Sequence, residues 1–179
     1  FYGRTTCTFI CIDKSRKNLS DALKNGSVNE GRKCIDKRIE KSELIFLCTP
    51  VSTIDKLIRE VIKFAKKKTI ISDVGSVKNI FKPSTIKLTN KNCNLVPGHP
   101  IAGTEHTGAK FANKNLFQNK WCIITPIDKK IKSINTISEI WKKIGMKISI
   151  MSQEEHDKIM SITSHLPHLI AFTIVSTAF

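Results

Sequence analysis

Residues Gly98–Gly108 hold two histidines, His99 and His106, with Glu105 between them and three glycines. An imidazole changes charge near neutral pH, so such a stretch can supply a general base, a metal ligand or a phosphate contact. The chain has five histidines (99, 106, 156, 165 and 168), and their spacing is neither HExxH nor any other zinc pattern. No metal site is therefore expected. Ser76, in Val74-Gly-Ser-Val77, follows one apolar run, and His99 follows the next. In parallel α/β sheets such loops gather at one crevice. A serine and a histidine there form a hydrolytic pair, or a base with a hydroxyl that orients its substrate; both readings stand. The Gly-x-Ser-x-Gly elbow of many hydrolases is missing. Asp13 closes the first apolar run, where an acidic residue holds the ribose of a dinucleotide or serves as an ordinary turn residue.

The elements that must position these groups follow from periodicity. Thr8–Ile12, Leu44–Cys48, Thr69–Ser72, Asn94–Val96, Trp121–Ile124 and Lys147–Ile150 read as short buried strands. Residues 16–25, 53–64 and 134–144 carry helical spacing, with Gly26 and Gly145 as stops. Strands alternating with helices predict an α/β fold, a Rossmann-like parallel sheet with crossover helices. Ser152-Gln-Glu-Glu155 is a capping box that starts a further helix. The segment from His165 to Phe179 is a nearly all-apolar helix, which needs a cover. The expected division is a dinucleotide-binding domain over 1–151, lacking its first βα unit, and the start of an all-helical domain over 152–179. The absence of an initiator methionine and the bare final helix suggest a chain cut at both ends.

The 179 residues carry a formal charge of +15, but 25 of the 30 basic residues are lysine, beside 27 isoleucines and 11 asparagines. Such joint enrichment reflects codon drift better than an anionic partner, and no nucleic-acid motif accompanies it. Lys66-Lys67-Lys68 reads as a solvated turn. No run of 18 uninterrupted apolar residues is present, so no membrane span is expected. The six cysteines form no CxxC pair and read as buried free thiols, which suits a reducing cytoplasm.

Four motifs, in order, resemble the prephenate/arogenate (cyclohexadienyl) dehydrogenase family: Asp73-Val-Gly-Ser-Val-Lys78, His99-Pro-Ile-Ala-Gly-Thr-Glu105, Ile123-Ile-Thr-Pro126 and Ser164-His-Leu-Pro-His168, with His156-Asp157 ahead of the last. The resemblance runs from about Cys7 to Phe179. It implies oxidative decarboxylation of prephenate to 4-hydroxyphenylpyruvate with hydride transfer to NAD, or of arogenate to tyrosine. By the same resemblance His99 is the catalytic base and Ser76 orients it and the substrate hydroxyl. His156, His165 and Thr104 face the substrate, and Asp13, Thr49 and Pro50 hold the cofactor, NAD in preference to NADP because an aspartate repels a phosphorylated ribose. His106 takes no role. The family's glycine-rich pyrophosphate loop and the arginine of its helical dimerisation domain have no counterpart in these residues. A decayed or split-gene form without activity and a non-catalytic binding remnant are the alternatives. The resemblance further implies a homodimer, a small-molecule substrate and a cytoplasmic location.

Overall fold

The computed structural model describes residues 7–104, 106–127 and 130–178, without the side chains of 165, 168 and 178. Along the chain come β1 (Ile10–Ile12), α1 (Arg16–Lys24), β2 (Glu30–Arg32), β3 (Leu44–Leu47), α2 (Val51–Ile62), β4 (Ile70–Asp73), α3 (Pro83–Asn92), β5 (Asn94–Leu95) and β6 (Gly98–Pro100). There follow β7 (Trp121–Ile124), α4 (Ile131–Lys143), β8 (Lys147–Ile150), α5 (Gln153–Met160) and α6 (Leu166–Ala178). Strands pair as β1-β2, β3-β4-β5 and β6-β7-β8. All pairs are parallel except β6 with β7. The Rossmann-like α/β architecture is therefore present, with α1, α2, α3 and α4 as its crossovers.

The antiparallel β6 departs from the all-parallel expectation. The described residues of 101–120 hold one short 3-10 turn, at Ala109–Phe111, and among them no crossover helix carries the chain back across the sheet. A parallel return needs such a crossover, and β7 instead runs back beside β6. The elements absent from the sequence-based expectation, β2, α3 and β6, lack strong periodicity: α3 buries only Thr85 and Thr89.

Strand β3 shows why its run is apolar throughout. Ile45 and Leu47 join the cluster of Ile54, Ile58, Val61 and Ile71 under α2, while Leu44 and Phe46 pack on the cluster of Ile124, Ile137 and Trp141 under α4. Alternate residues of a strand point to opposite faces, so a strand covered on both sides has no polar side. Gly145, with φ +95°, lies just past α4 as expected, and a Cβ there would run into the Gln118 side chain.

Two expectations of burial are corrected. Phe9, Ile10 and Ile12 are exposed: among the described residues β1 pairs with β2 alone, and α1 packs against that ribbon. Of the six free cysteines Cys93 and Cys122 are buried, Cys11 is half-buried, and Cys7, Cys34 and Cys48 are exposed. Cys7, Cys34 and Cys48 lie outside the strands. Lys66, Lys67 and Lys68 are exposed between α2 and β4.

Helices α5 and α6 run on as one helix over Gln153–Thr177, joined through a π-helical turn at Ser161–His165. Leu169, Ile170, Phe172, Ile174 and Val175 are all exposed on it, Phe172 by 75%. By length and composition alone this helix is long and apolar enough to cross a membrane, a property the sequence reading did not anticipate.

Candidate active site

Two elements bring the site together. Strand β6 presents His99 between buried Gly98 and Pro100, in register with Ile123 of β7. Helix α5 starts at Ser152, whose side chain accepts from the Glu155 N–H at 3.1 Å, as the capping box requires. One turn further, the fully buried His156 reaches His99: Nε2 of His156 lies 2.9 Å from Nδ1 of His99, with ring centroids 5.1 Å apart. On its other side His156 Nδ1 lies 2.7 Å from Asp157 Oδ1.

The direction of these bonds follows from Asp157. Its Oδ1 also accepts the Lys78 N–H, and its Oδ2 accepts the Asn79 N–H, each at 2.8 Å. Burial opposes its ionisation, but these two backbone bonds and the His156 contact outweigh it and hold the carboxyl below its ordinary value. An ionised carboxylate only accepts, so the proton between them sits on His156 Nδ1. When His156 is neutral its lone pair therefore lies on Nε2, where it accepts from His99 Nδ1–H. His99 in turn carries its lone pair on Nε2, the form required of a base. The triad of a serine hydrolase orients its histidine by the same logic. Here the orienting chain is one imidazole longer.

Beneath His99 is a buried ion pair. Lys78 Nζ and Asp73 Oδ2 are 2.6 Å apart, both side chains are wholly buried, and Asp73 Oδ2 also accepts the Gly75 N–H at 2.9 Å. Burial pushes the Asp73 carboxyl up and the Lys78 amine down, each opposed by its partner. Gly75 has no room for a side chain: a Cβ would meet Ile54 Cδ1 at 2.9 Å and Asp73 Oδ2 at 3.0 Å. Gly75→Ala is accordingly expected to lower stability by about 1–3 kcal/mol, seen as a lower urea midpoint at unchanged slope. An unchanged midpoint would show that the loop yields.

Of the residues singled out from sequence, the structure joins His99 and His156. Ser76 is exposed in the loop after β4. Thr104 is exposed and donates to the His106 carbonyl at 3.3 Å. The side chain of His165 lies outside the described residues, as does Glu105. His106 is exposed and stacks on Phe111, with centroids 4.6 Å apart. Asp13, just past β1, is half-buried; its Oδ1 accepts the Ser15 N–H at 2.7 Å and its Oδ2 accepts from Asn18 Nδ2 at 3.0 Å. Thr49 and Pro50 are exposed after β3, where the Thr53 hydroxyl donates to the Pro50 carbonyl at 2.7 Å. Among the described residues no group of three or more His, Cys, Asp or Glu is placed to hold a metal ion. Asp157, Lys78 and Gln153 were given no role from sequence. The signal was present, since Lys78 closes one quoted motif and Asp157 another.

Residues 3–150 match the family model of the prephenate dehydrogenase nucleotide-binding domain, and 152–179 match that of its dimerization domain. The chain belongs to the prephenate dehydrogenase family. Similar members include the cyclohexadienyl dehydrogenase of Zymomonas mobilis, 36% identical over 143 residues, covering 79% of this chain and 48% of that protein. The prephenate dehydrogenase of Bacillus subtilis is 29% identical over 168 residues, covering 93% of this chain and 45% of that one. The crystal structure of prephenate dehydrogenase from A. aeolicus, in complex with hydroxyphenyl propionate and NAD+, superposes with a TM-score of 0.86 at 31% identity, over 94% of this chain and 59% of that one. The chain thus spans about half the length of the curated relatives it matches. Within the family, the boundary between the two matched regions falls just before Ser152, the cap of α5.

Proposed function

We propose that this chain carries out, within its complete gene product, the oxidative decarboxylation of prephenate to 4-hydroxyphenylpyruvate, with the hydride passing to NAD. The observation that carries this reading is the directed chain Asp157–His156–His99, which leaves the His99 lone pair on Nε2. His99 accepts the proton of the ring hydroxyl as its carbon becomes a carbonyl. The ring carboxylate leaves as carbon dioxide, and the resulting aromatic ring supplies the driving force. His156 holds the His99 ring in the required tautomer and shares the charge that develops, and Asp157 stabilises that charge. Thr104 and His165 are assigned to substrate contact, and Ser76 to orienting the hydroxyl toward His99. Ser76→Ala is expected to lower kcat by about tenfold, less than loss of the base itself. An unchanged kcat removes the orienting role.

NAD, when bound, supplies the hydride acceptor. Asp13 fits its adenosine ribose: each carboxylate oxygen makes one hydrogen bond and retains a lone pair for a ribose hydroxyl. The same negative charge disfavours the phosphorylated ribose of NADP. Thr49 and Pro50 lie exposed at the carboxyl end of a parallel strand, where ligands of such sheets bind. We assign residues 1–151 to the dinucleotide-binding domain and 152–179 to the start of a helical domain. The exposed apolar face of α6 and its dimerization-domain match support a homodimer. Six free thiols accord with a reducing cytoplasm.

The test is NADH formation by the purified complete gene product, with NAD and either prephenate or arogenate. Turnover names the preferred substrate. Silence from folded protein overturns the reading in favour of a decayed or split-gene form without activity.

A further inference from the structure

We propose that Lys78 is the positioning residue of the proton relay, holding both of its ends from one buried site. The Lys78 amine donates to the Gly98 carbonyl, one residue before His99, at 2.6 Å, and to Asp73 Oδ2 at the same distance. Its backbone N–H donates to Asp157 Oδ1 at 2.8 Å, and its carbonyl accepts from Gln153 Nε2 at 2.7 Å. The side chain therefore fastens β6, and the main chain fastens the first two turns of α5. The His99–His156 bond spans the gap between those two elements, so its length is set through Lys78.

A merely space-filling side chain here would be apolar, because burying an ammonium carries a large desolvation cost. What an apolar chain cannot provide is a donor aimed at Gly98 and Asp73 together. Asp73 in turn fixes the Gly75 N–H, so the loop from β4 that carries the Lys78 backbone is tied to the same point. Strand β6 is only three residues long, and a carbonyl that loses its donor frees the strand to turn.

This inference rests on the base role of His99 for its effect on rate, but its geometry is open to a measurement that needs no turnover. The variant is Lys78→Met combined with Asp73→Asn in the complete gene product, since Lys78→Met alone leaves a carboxylate buried without its cation. Nitrogen-15 spectra of the histidine side chains, assigned with His99→Asn and His156→Asn, report which ring nitrogen is protonated. The unaltered protein is expected to show both rings in the single Nδ1–H form. The double variant, shown to be folded by its thermal transition, is expected to show His99 as an averaged mixture of tautomers. Its kcat is expected to fall about a hundredfold, as for a displacement of about 1 Å, while KM for NAD stays within about twofold. An unchanged tautomer signature in the folded double variant overturns the proposal, and so does a kcat within about twofold of the unaltered enzyme. Turnover that survives His99→Asn instead overturns the base role, and the nitrogen spectra then still decide what Lys78 holds.

Discussion

His99→Asn is expected to lower kcat by about 10²- to 10⁴-fold in the complete gene product, with KM for NAD nearly unchanged. The substitution is chosen to isolate the chemistry. An Asn amide N–H can donate to His156 Nε2 in place of His99 Nδ1–H, so the buried imidazole keeps its partner. What disappears is the lone pair on Nε2, because an amide nitrogen is no base. In the proposed reading the groups that hold the adenosine end lie off β6: Asp13 follows β1, and Thr49 and Pro50 follow β3. A loss of NAD affinity equal to the loss of kcat would point to a collapsed strand. A kcat within tenfold of the unaltered enzyme would remove His99 from the role of base.

The second large effect is expected two bonds away from the reacting atoms. Asp157→Asn replaces two accepting oxygens by one oxygen and one NH2, while the same three donors (Lys78 N–H, Asn79 N–H and His156 Nδ1–H) remain around it. With its oxygen toward Lys78 and His156, the amide NH2 faces the Asn79 N–H. Turned over, it faces His156, which must then accept on Nδ1 and carry its proton on Nε2. His99 is forced into the complementary tautomer, with its proton on the atom that should take one from the substrate. We expect kcat to fall about a hundredfold, less than the roughly 10⁴-fold known for the equivalent change next to a protease histidine, because one more imidazole intervenes. A similar rate at all pH values would show that Asp157 serves the fold alone.

The same residue predicts an acid dependence of stability. Asp157 is held below its ordinary value of 3.8, its burial being outweighed by the Lys78 and Asn79 N–H groups and His156. The unfolded chain thus takes up this proton first as pH falls. The stabilisation is complete above 3.8 and is lost as pH drops through the lower folded value. Urea midpoints measured between about pH 6 and pH 2.5 should fall more steeply for the unaltered protein than for Asp157→Asn. Parallel profiles would assign the acid sensitivity elsewhere.

Much of this molecule is legible in its residues. Six apolar runs became strands within one or two residues of their expected ends, and β3, covered on both faces, has no polar alternation to confuse it. Helices α1, α2 and α4 declared themselves by spacing, and α5 by Ser152 and Glu155. Elements without an apolar stripe stayed hidden: α3 buries threonines, and β6 is three residues flanked by proline. Burial was overstated at β1 and at Cys7, Cys34 and Cys48, because an apolar run says what a residue prefers and not whether anything covers it.

The site divides along the same line. The residue types, their order and the motifs around Ser76, His99 and His156 are properties of the sequence, and they sufficed to identify the family. That His99 and His156 share a hydrogen bond across 57 residues is a matter of packing, decided by where β6 meets α5. So is the role of Asp157, whose charge state depends on two backbone donors that belong to another loop. Lys78 closes a motif of the sequence but is otherwise one lysine among 25, and its burial between Asp73 and the Gly98 carbonyl gives it a role. Chemical capacity is local and can be read residue by residue. Protonation state, tautomer and the direction of a hydrogen bond depend on neighbours that only the folded chain brings within 3 Å.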